Sequence, residues 1–243
     1  MTVHSEAAFA TTSGVAPPQP GDAPQGPPAA GRRPTPAPHG VVRPGRSAAV
    51  VDLRGAGHRP AELRFPAGDL VVVSGLPGSG KSTLMHRIVP VLDARGAAVH
   101  RIDSQDVRER WERGRLRRLP YGIYRPLVRA AHYLGLRRAL RSGDSVVVHD
   151  CGTLAWVRRW IARSARRRGG GAHLVLLDVS PQVALSGQES RGRGVSGYAF
   201  ARHRGAVGRL VGAAASGRPP AGFGSVVLLD RRTASALETV GFG

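Results

Sequence analysis

Between Gly75 and Thr83 the chain reads GLPGSGKST, with the apolar run Leu70 to Ser74 immediately before it and a helix-compatible stretch immediately after. Strand, glycine-rich loop and helix in that order leave little freedom. The glycines let the backbone curl so that successive N–H groups point inward, and the following helix adds its positive N-terminal end, which together make a cradle for phosphate. Lys81 is the only lysine among 36 basic residues, the other 35 being arginines. A compact ammonium on a flexible stem is thus kept at the one place where it would reach β and γ phosphates, and a guanidinium serves everywhere else. The Ser82 hydroxyl suits one position on Mg²⁺. Gly75, Leu76, Pro77, Gly78, Ser79, Gly80, Lys81, Ser82 and Thr83 form the candidate nucleotide-binding set, with ATP and Mg²⁺ as the expected ligands.

From Leu70 onward, apolar runs alternate with longer helical patterns, as in a parallel sheet covered by helices. The pattern predicts strands at Leu70 to Ser74, Ala98 to Ile102, Ser145 to His149, His173 to Asp178 and Ser225 to Leu229. Helices are expected from Ser82 to about Asp93, Thr153 to Arg168, Pro181 to Ser190 and Gly197 to Ala215. Two further short strands, Val50 to Leu53 and Glu62 to Phe65, precede the main series. Residues 1–46 are dense in Pro, Gly and Ala and are expected to be a disordered tail, leaving 47–243 as the nucleotide-binding domain.

The charge of +20 points to polyanions, although a coding bias that writes Arg on any surface offers a second explanation. No apolar run approaches the roughly 18 residues of a spanning helix, and the first residues lack the basic start and apolar core of a secretory signal, so no membrane partner is expected. A single cysteine, Cys151, fits a reducing cytoplasm. With no second thiol and no spaced His pair, Cys151 and its neighbour His149 do not read as a metal site.

A phosphate cradle serves many chemistries, so the surrounding residues must decide. Leu185 to Gln188 reads LSGQ, like part of the signature of ABC transporter ATPases, but it lacks one glycine and follows the strand ending in Asp178 instead of preceding it. Nor does any strand end in the Asp-Glu pair of hydrolytic motors.

Taken together, GLPGSGKST, the RIDSQDVRER segment (101–110), VVVHDCGT (146–153) and QESRGRGVSGYAFARH (188–203) resemble the small P-loop kinase and AAA family ATP-binding group that includes zeta toxins, polynucleotide 5'-hydroxyl kinases and gluconate-kinase-like enzymes. The resemblance spans about Leu70 to Val240. It implies a three-layer α/β sandwich with a five-stranded parallel sheet in order 2-3-1-4-5, a helical insert (104–144) after strand two and an Arg-rich lid (188–203) after strand four.

In such kinases an Asp ends strand two and accepts the proton of the attacking hydroxyl. Asp103 is the first candidate and Asp106 the reserve, with Arg108 as the guanidinium that would hold an acceptor phosphate or carboxylate. The alternative is an Asp that caps the following helix. At the end of strand three, Asp150 is either a metal-side carboxylate or a turn residue, and is preferred to the more distant Asp178. The resemblance places Arg191 and Arg193 in the lid, where they would neutralise charge on the transferred group. Arg202 and Arg204 are further candidates on the helix that follows the lid, and the resemblance implies that the loop after strand five passes the adenine, where Arg231 or Arg232 would touch the base. Asp230 with Thr233 matches a turn that caps the final helix. The insert interleaves its arginines with Trp111, Tyr121, Tyr124 and Tyr133, which suits a nucleic-acid end or a nucleotide-sugar as acceptor, or else a helical pair whose aromatics are core. The function these features imply is a P-loop phosphotransferase. The alternative is an ATP-dependent binding module or weak ATPase with an Arg-rich nucleic-acid surface.

Overall fold

The computed structural model describes residues 40–243 except 48, 56, 114–120, 151–153 and 191–195. In chain order the elements are β1 (Val41–Val42), β2 (Ala49–Asp52), β3 (Glu62–Phe65), β4 (Leu70–Gly75), α1 (Lys81–Ile88), β5 (Val99–Ile102), α2 (Ser104–Glu112), α3 (Tyr121–Ser142) and β6 (Ser145–Asp150). There follow α4 (Ala155–Arg167), β7 (Ala172–Leu177), α5 (Pro181–Glu189), α6 (Gly197–Ala215), β8 (Ser225–Leu229), α7 (Arg231–Ala236) and β9 (Thr239–Phe242).

Six strands form the main sheet in the order β2-β8-β7-β4-β6-β5, every pair parallel. The five expected strands keep the order 2-3-1-4-5, and β2 adds a sixth beside β8. Strand β4 lies between β6 and β7, and all six of its residues are buried. Alternation sends Val71 and Val73 to one face and Leu70 and Val72 to the other. The first face packs on Leu84, Met85 and Ile88 of α1. The second packs on Leu136 of α3, Val157 and Ile161 of α4, and Leu210 of α6. Each such side chain contributes about 1.5–3 kcal/mol on burial, so the strand that carries the cradle is held from both sides.

A second, three-stranded parallel sheet, β1-β3-β9, was not expected. Its inward Leu63, Phe65, Val240 and Phe242 close over the α1 face of the core. The expected tail reached Arg46, yet Val41 and Val42 pair with Glu62 and Leu63, and Arg46 is ion-paired with Asp69. Helix α1 stops at Ile88, short of the expected Asp93, because Val89 precedes Pro90 and takes an extended conformation (ψ 115°). Among the described residues no helix is long and apolar enough to cross a membrane.

Candidate phosphate-binding site

The loop from Gly75 to Gly80 leaves the carboxyl end of β4 and turns into α1 at Gly80, whose left-handed backbone (φ 93°) starts the helix. Lys81 is buried, and its Nζ donates to the carbonyls of Gly75 (2.9 Å) and Leu76 (2.6 Å) and to Ser79 Oγ (3.3 Å). Ser82 is buried beside it, while Thr83 faces out.

Helix α5 fixes the apex of this loop. At Gly78 (φ +86°) a Cβ would fall 2.0 Å from the Ala184 carbonyl oxygen, and one on Gly187 would fall 2.4 Å from the Gly78 carbonyl oxygen. Gln188 Nε2 donates to the Pro77 carbonyl at 3.1 Å. The LSGQ segment therefore supports the phosphate loop through a glycine-to-glycine approach and one amide.

Asp103, at the end of β5, is only 2 % exposed. It caps α2 by accepting from the Gln105 amide at 2.9 Å, as the capping alternative anticipated, but its surroundings go further. His149 Nδ1 lies 3.0 Å from the same oxygen, Oδ1. The other oxygen, Oδ2, is buried with no hydrogen-bond partner among the described residues. Burial pushes the Asp103 carboxyl up, but the His149 ring, the Ser82 hydroxyl and the Gln105 amide outweigh it and hold it well below the usual carboxylate range. The Ser82 hydroxyl is close enough to favour the carboxylate without reaching hydrogen-bond geometry with Oδ2.

Asp106, the reserve acid, is taken by His86 Nε2 at 2.8 Å, so it ties α2 to α1. Arg108 stands half-buried on α2. Strand alternation sends His149 and Asp150 to opposite faces of the sheet. Asp150 Oδ2 receives Arg158 Nη1 of α4 at 3.1 Å. Asp178 is bound by Arg54 at 2.7 Å. Asp230 caps α7 by accepting from the Thr233 amide at 2.8 Å. Arg202, Arg204, Arg231 and Arg232 are exposed. Arg191 and Arg193 lie outside the described residues.

In the insert, Tyr124 is 3 % exposed and Tyr133 packs on the core with its ring 5.4 Å from that of Trp156, so these two aromatics serve packing. Sequence reasoning passed over His132, a buried histidine of α3 whose Nδ1 has no partner among the described residues. Burial first, then the neighbouring His149, pulls its pKa down to about 4, against the opposing pull of Asp103 and Asp150. Its position four residues from both Val128 and Leu136, which are buried, is the signal that would have found it.

Sheet order and cradle together define an α/β protein of the P-loop NTPase class. Over residues 70–207 the chain matches AAA_33, described as an AAA domain, and it belongs to that family. No curated protein sequence matches the chain. Among solved structures, it is similar to a chain from the PezAT chromosomal toxin-antitoxin system of Streptococcus pneumoniae, with TM-score 0.50 and 13 % identity over 68 % of this chain and 67 % of that one. It is also similar to a candidate kinase of Chloroflexus aurantiacus (TM-score 0.40, 15 % identity, 68 % and 85 % covered). A third similar structure is a tunicamycin resistance protein of Deinococcus radiodurans (TM-score 0.32, 16 % identity, 60 % and 82 % covered).

Proposed function

We propose that the chain is a phosphotransferase that moves the γ-phosphoryl group of Mg·ATP to a hydroxyl of an acceptor. The observation that carries this reading is the open oxygen of Asp103, a buried and ionised carboxylate whose Oδ2 has no hydrogen-bond partner among the described residues, near the Ser82 hydroxyl of the cradle. An unsatisfied buried carboxylate oxygen costs stability, and a site that receives a hydroxyl is a reason to keep one.

ATP and magnesium fit the residues present. The loop curls through glycines of positive φ at 75, 78 and 80 into the N-terminus of α1, the arrangement that turns backbone N–H groups toward phosphate. The nucleotide supplies the phosphoryl group, and magnesium offsets the charge on its oxygens. Lys81, now turned onto the carbonyls of Gly75 and Leu76, would exchange them for β and γ phosphates. Ser82 would hold the metal ion. Asp150, whose Oδ2 receives Arg158 Nη1, would assist on the metal side by giving up that pair. Asp103 Oδ2 would accept the hydrogen bond of the incoming hydroxyl and set its direction, with His149 holding the carboxylate in place. Because its pKa is depressed, orientation is its main contribution, and a loose transition state asks for little more. Arg108 would hold an anionic group on the acceptor, and Arg191 and Arg193 would close over the transferred group. The acceptor classes that suit an Arg-rich insert are nucleic-acid ends and nucleotide-sugars.

The test is γ-labelled ATP with Mg²⁺ and a panel of 5'-hydroxyl oligonucleotides, nucleotide-sugars and small polyols. Label is expected on one acceptor class, reduced about 10²-fold or more in Lys81→Ala. Label appearing only as inorganic phosphate would overturn the transfer reading in favour of a hydrolase.

A further inference from the structure

At the opposite end of the sheet from the cradle, α3 and α4 flank an open hollow of about 500 Å³. Four guanidinium groups line it: Arg137 and Arg141, one turn apart on α3, and Arg167 and Arg168 at the end of α4. Trp160 and Ser164, also one turn apart on α4, face the same space. These helix ends lead into the first residues of β6 and β7, whereas the cradle leaves the last residue of β4. Six residues of strand put about 20 Å between the two places.

The hollow has the makings of an anion site. Among the described residues no acidic side chain lines it. Among the described residues Arg137, Arg141 and Arg167 have neither a hydrogen-bond nor an ion-pair partner. Arg168 is anchored through Nη2, which donates to the carbonyls of Gly68 (2.6 Å), Gly143 (2.8 Å) and Asp144 (2.5 Å). Its Nη1 is buried and unpartnered. Like charges gathered around one concavity repel unless an anion joins them. Cations do favour helix C-termini, by about 0.3–1 kcal/mol each, but that preference calls for one at each helix end and not for four around a hollow with an indole wall. Trp160 is half-buried and continues a row of rings through Trp156 to Tyr133. A flat aromatic group beside several phosphate-seeking forks is the arrangement that nucleotides meet in single-strand binding grooves.

We infer that this hollow binds a nucleotide unit, its phosphate held by Arg137, Arg141 and Arg167 and its base laid against Trp160, independently of the cradle. Free nucleotide and single-stranded nucleic acid present the same chemistry, and the test separates them. The full chain carrying Lys81→Ala, which disables the cradle, is titrated into fluorescently labelled oligo(dT) of eight residues at several salt concentrations, with thymidine monophosphate as competitor. In that background R137E with R141E is expected to weaken oligonucleotide binding at least tenfold and to flatten its salt dependence, and Trp160→Leu to weaken it several-fold at unchanged salt dependence. The comparison is R95E with R209E, the same change of charge at two exposed positions elsewhere. Displacement by the monophosphate would make a free nucleotide the occupant, and resistance to it would make the occupant a strand. Equal weakening by both pairs, or none by the first while circular dichroism reports an intact fold, would overturn the inference in favour of diffuse attraction.

Discussion

Two aspartate–histidine pairs, each built on a buried aspartate, stand at opposite ends of the main sheet, and they differ in one oxygen. Asp69, just before β4, is fully buried and accepts from Arg46 (2.6 and 3.0 Å), from the Gly171 amide (2.7 Å) and from His173 Nε2 (2.9 Å). Its histidine is completed by Ser225 Oγ, 2.8 Å from Nδ1. At the other end Asp103 has His149 and an amide on one oxygen and, among the described residues, no hydrogen-bond partner on the second. The same residue types, each with its carboxylate buried, thus serve two ends. Where every lone pair is satisfied the pair is a fastener between β4, β7 and β8. Where one oxygen stays open, beside a phosphate cradle, the pair retains a capacity to bind.

Replacing each carboxylate by its amide tests this contrast most strongly. Asp69→Asn removes a buried charge on which three groups converge, and chemical denaturation should report a loss of about 3 kcal/mol with any surviving folded protein still active. Asp103→Asn keeps the helix cap but gives up the charge that His149 and Ser82 favour, so it should cost about 1–2 kcal/mol, less than Asp69→Asn, and should lower phosphoryl transfer about 10²-fold. Equal stability losses with transfer untouched would erase the distinction between the two ends.

A smaller effect asks what keeps the cradle end in shape. Gly187→Ala drives a methyl group against the Gly78 carbonyl, where only backbone could give way, and should cost about 2 kcal/mol while raising KM for ATP about tenfold. Gly212→Ala on α6, where a Cβ meets nothing within 4 Å, should be neutral or stabilising with KM unchanged. Matching behaviour of the two variants would mean that α5 does not brace the loop.

These contrasts also mark what the sequence made legible. The cradle and the five parallel strands were readable because a glycine pattern and continuous Val/Leu runs are local signals. The second sheet was not, since β3 and β9 are joined by about 170 residues of chain and each is only four residues long. Asp103 was readable from its place at a strand end. Its open oxygen was not, because that depends on His149, 46 residues away, occupying Oδ1 and sparing Oδ2. The LSGQ segment was set aside as a failed signature, and its value as a small-residue face only becomes visible once α5 lies on the loop.

His132 separates the two ends by pH. It belongs to the cradle end, with His149, Asp103 and Asp150 as its charged surroundings. Its folded-state pKa of about 4 lies below the ordinary histidine value near 6.5, so as pH falls the unfolded chain takes up the proton first. The stability this neutral histidine contributes is present in full above pH 6.5 and is lost as pH falls from there toward 4. At pH 5.5 the loss amounts to about 1.5 kcal/mol. Urea denaturation of the wild type and His132→Gln at pH 7.5 and 5.5 isolates it, because all other titrating groups are common to both proteins. The variant should gain about 1.5 kcal/mol relative to the wild type between the two pH values. A constant difference would mean that His132 titrates alike folded and unfolded, and that its burial at the cradle end leaves its proton affinity unchanged.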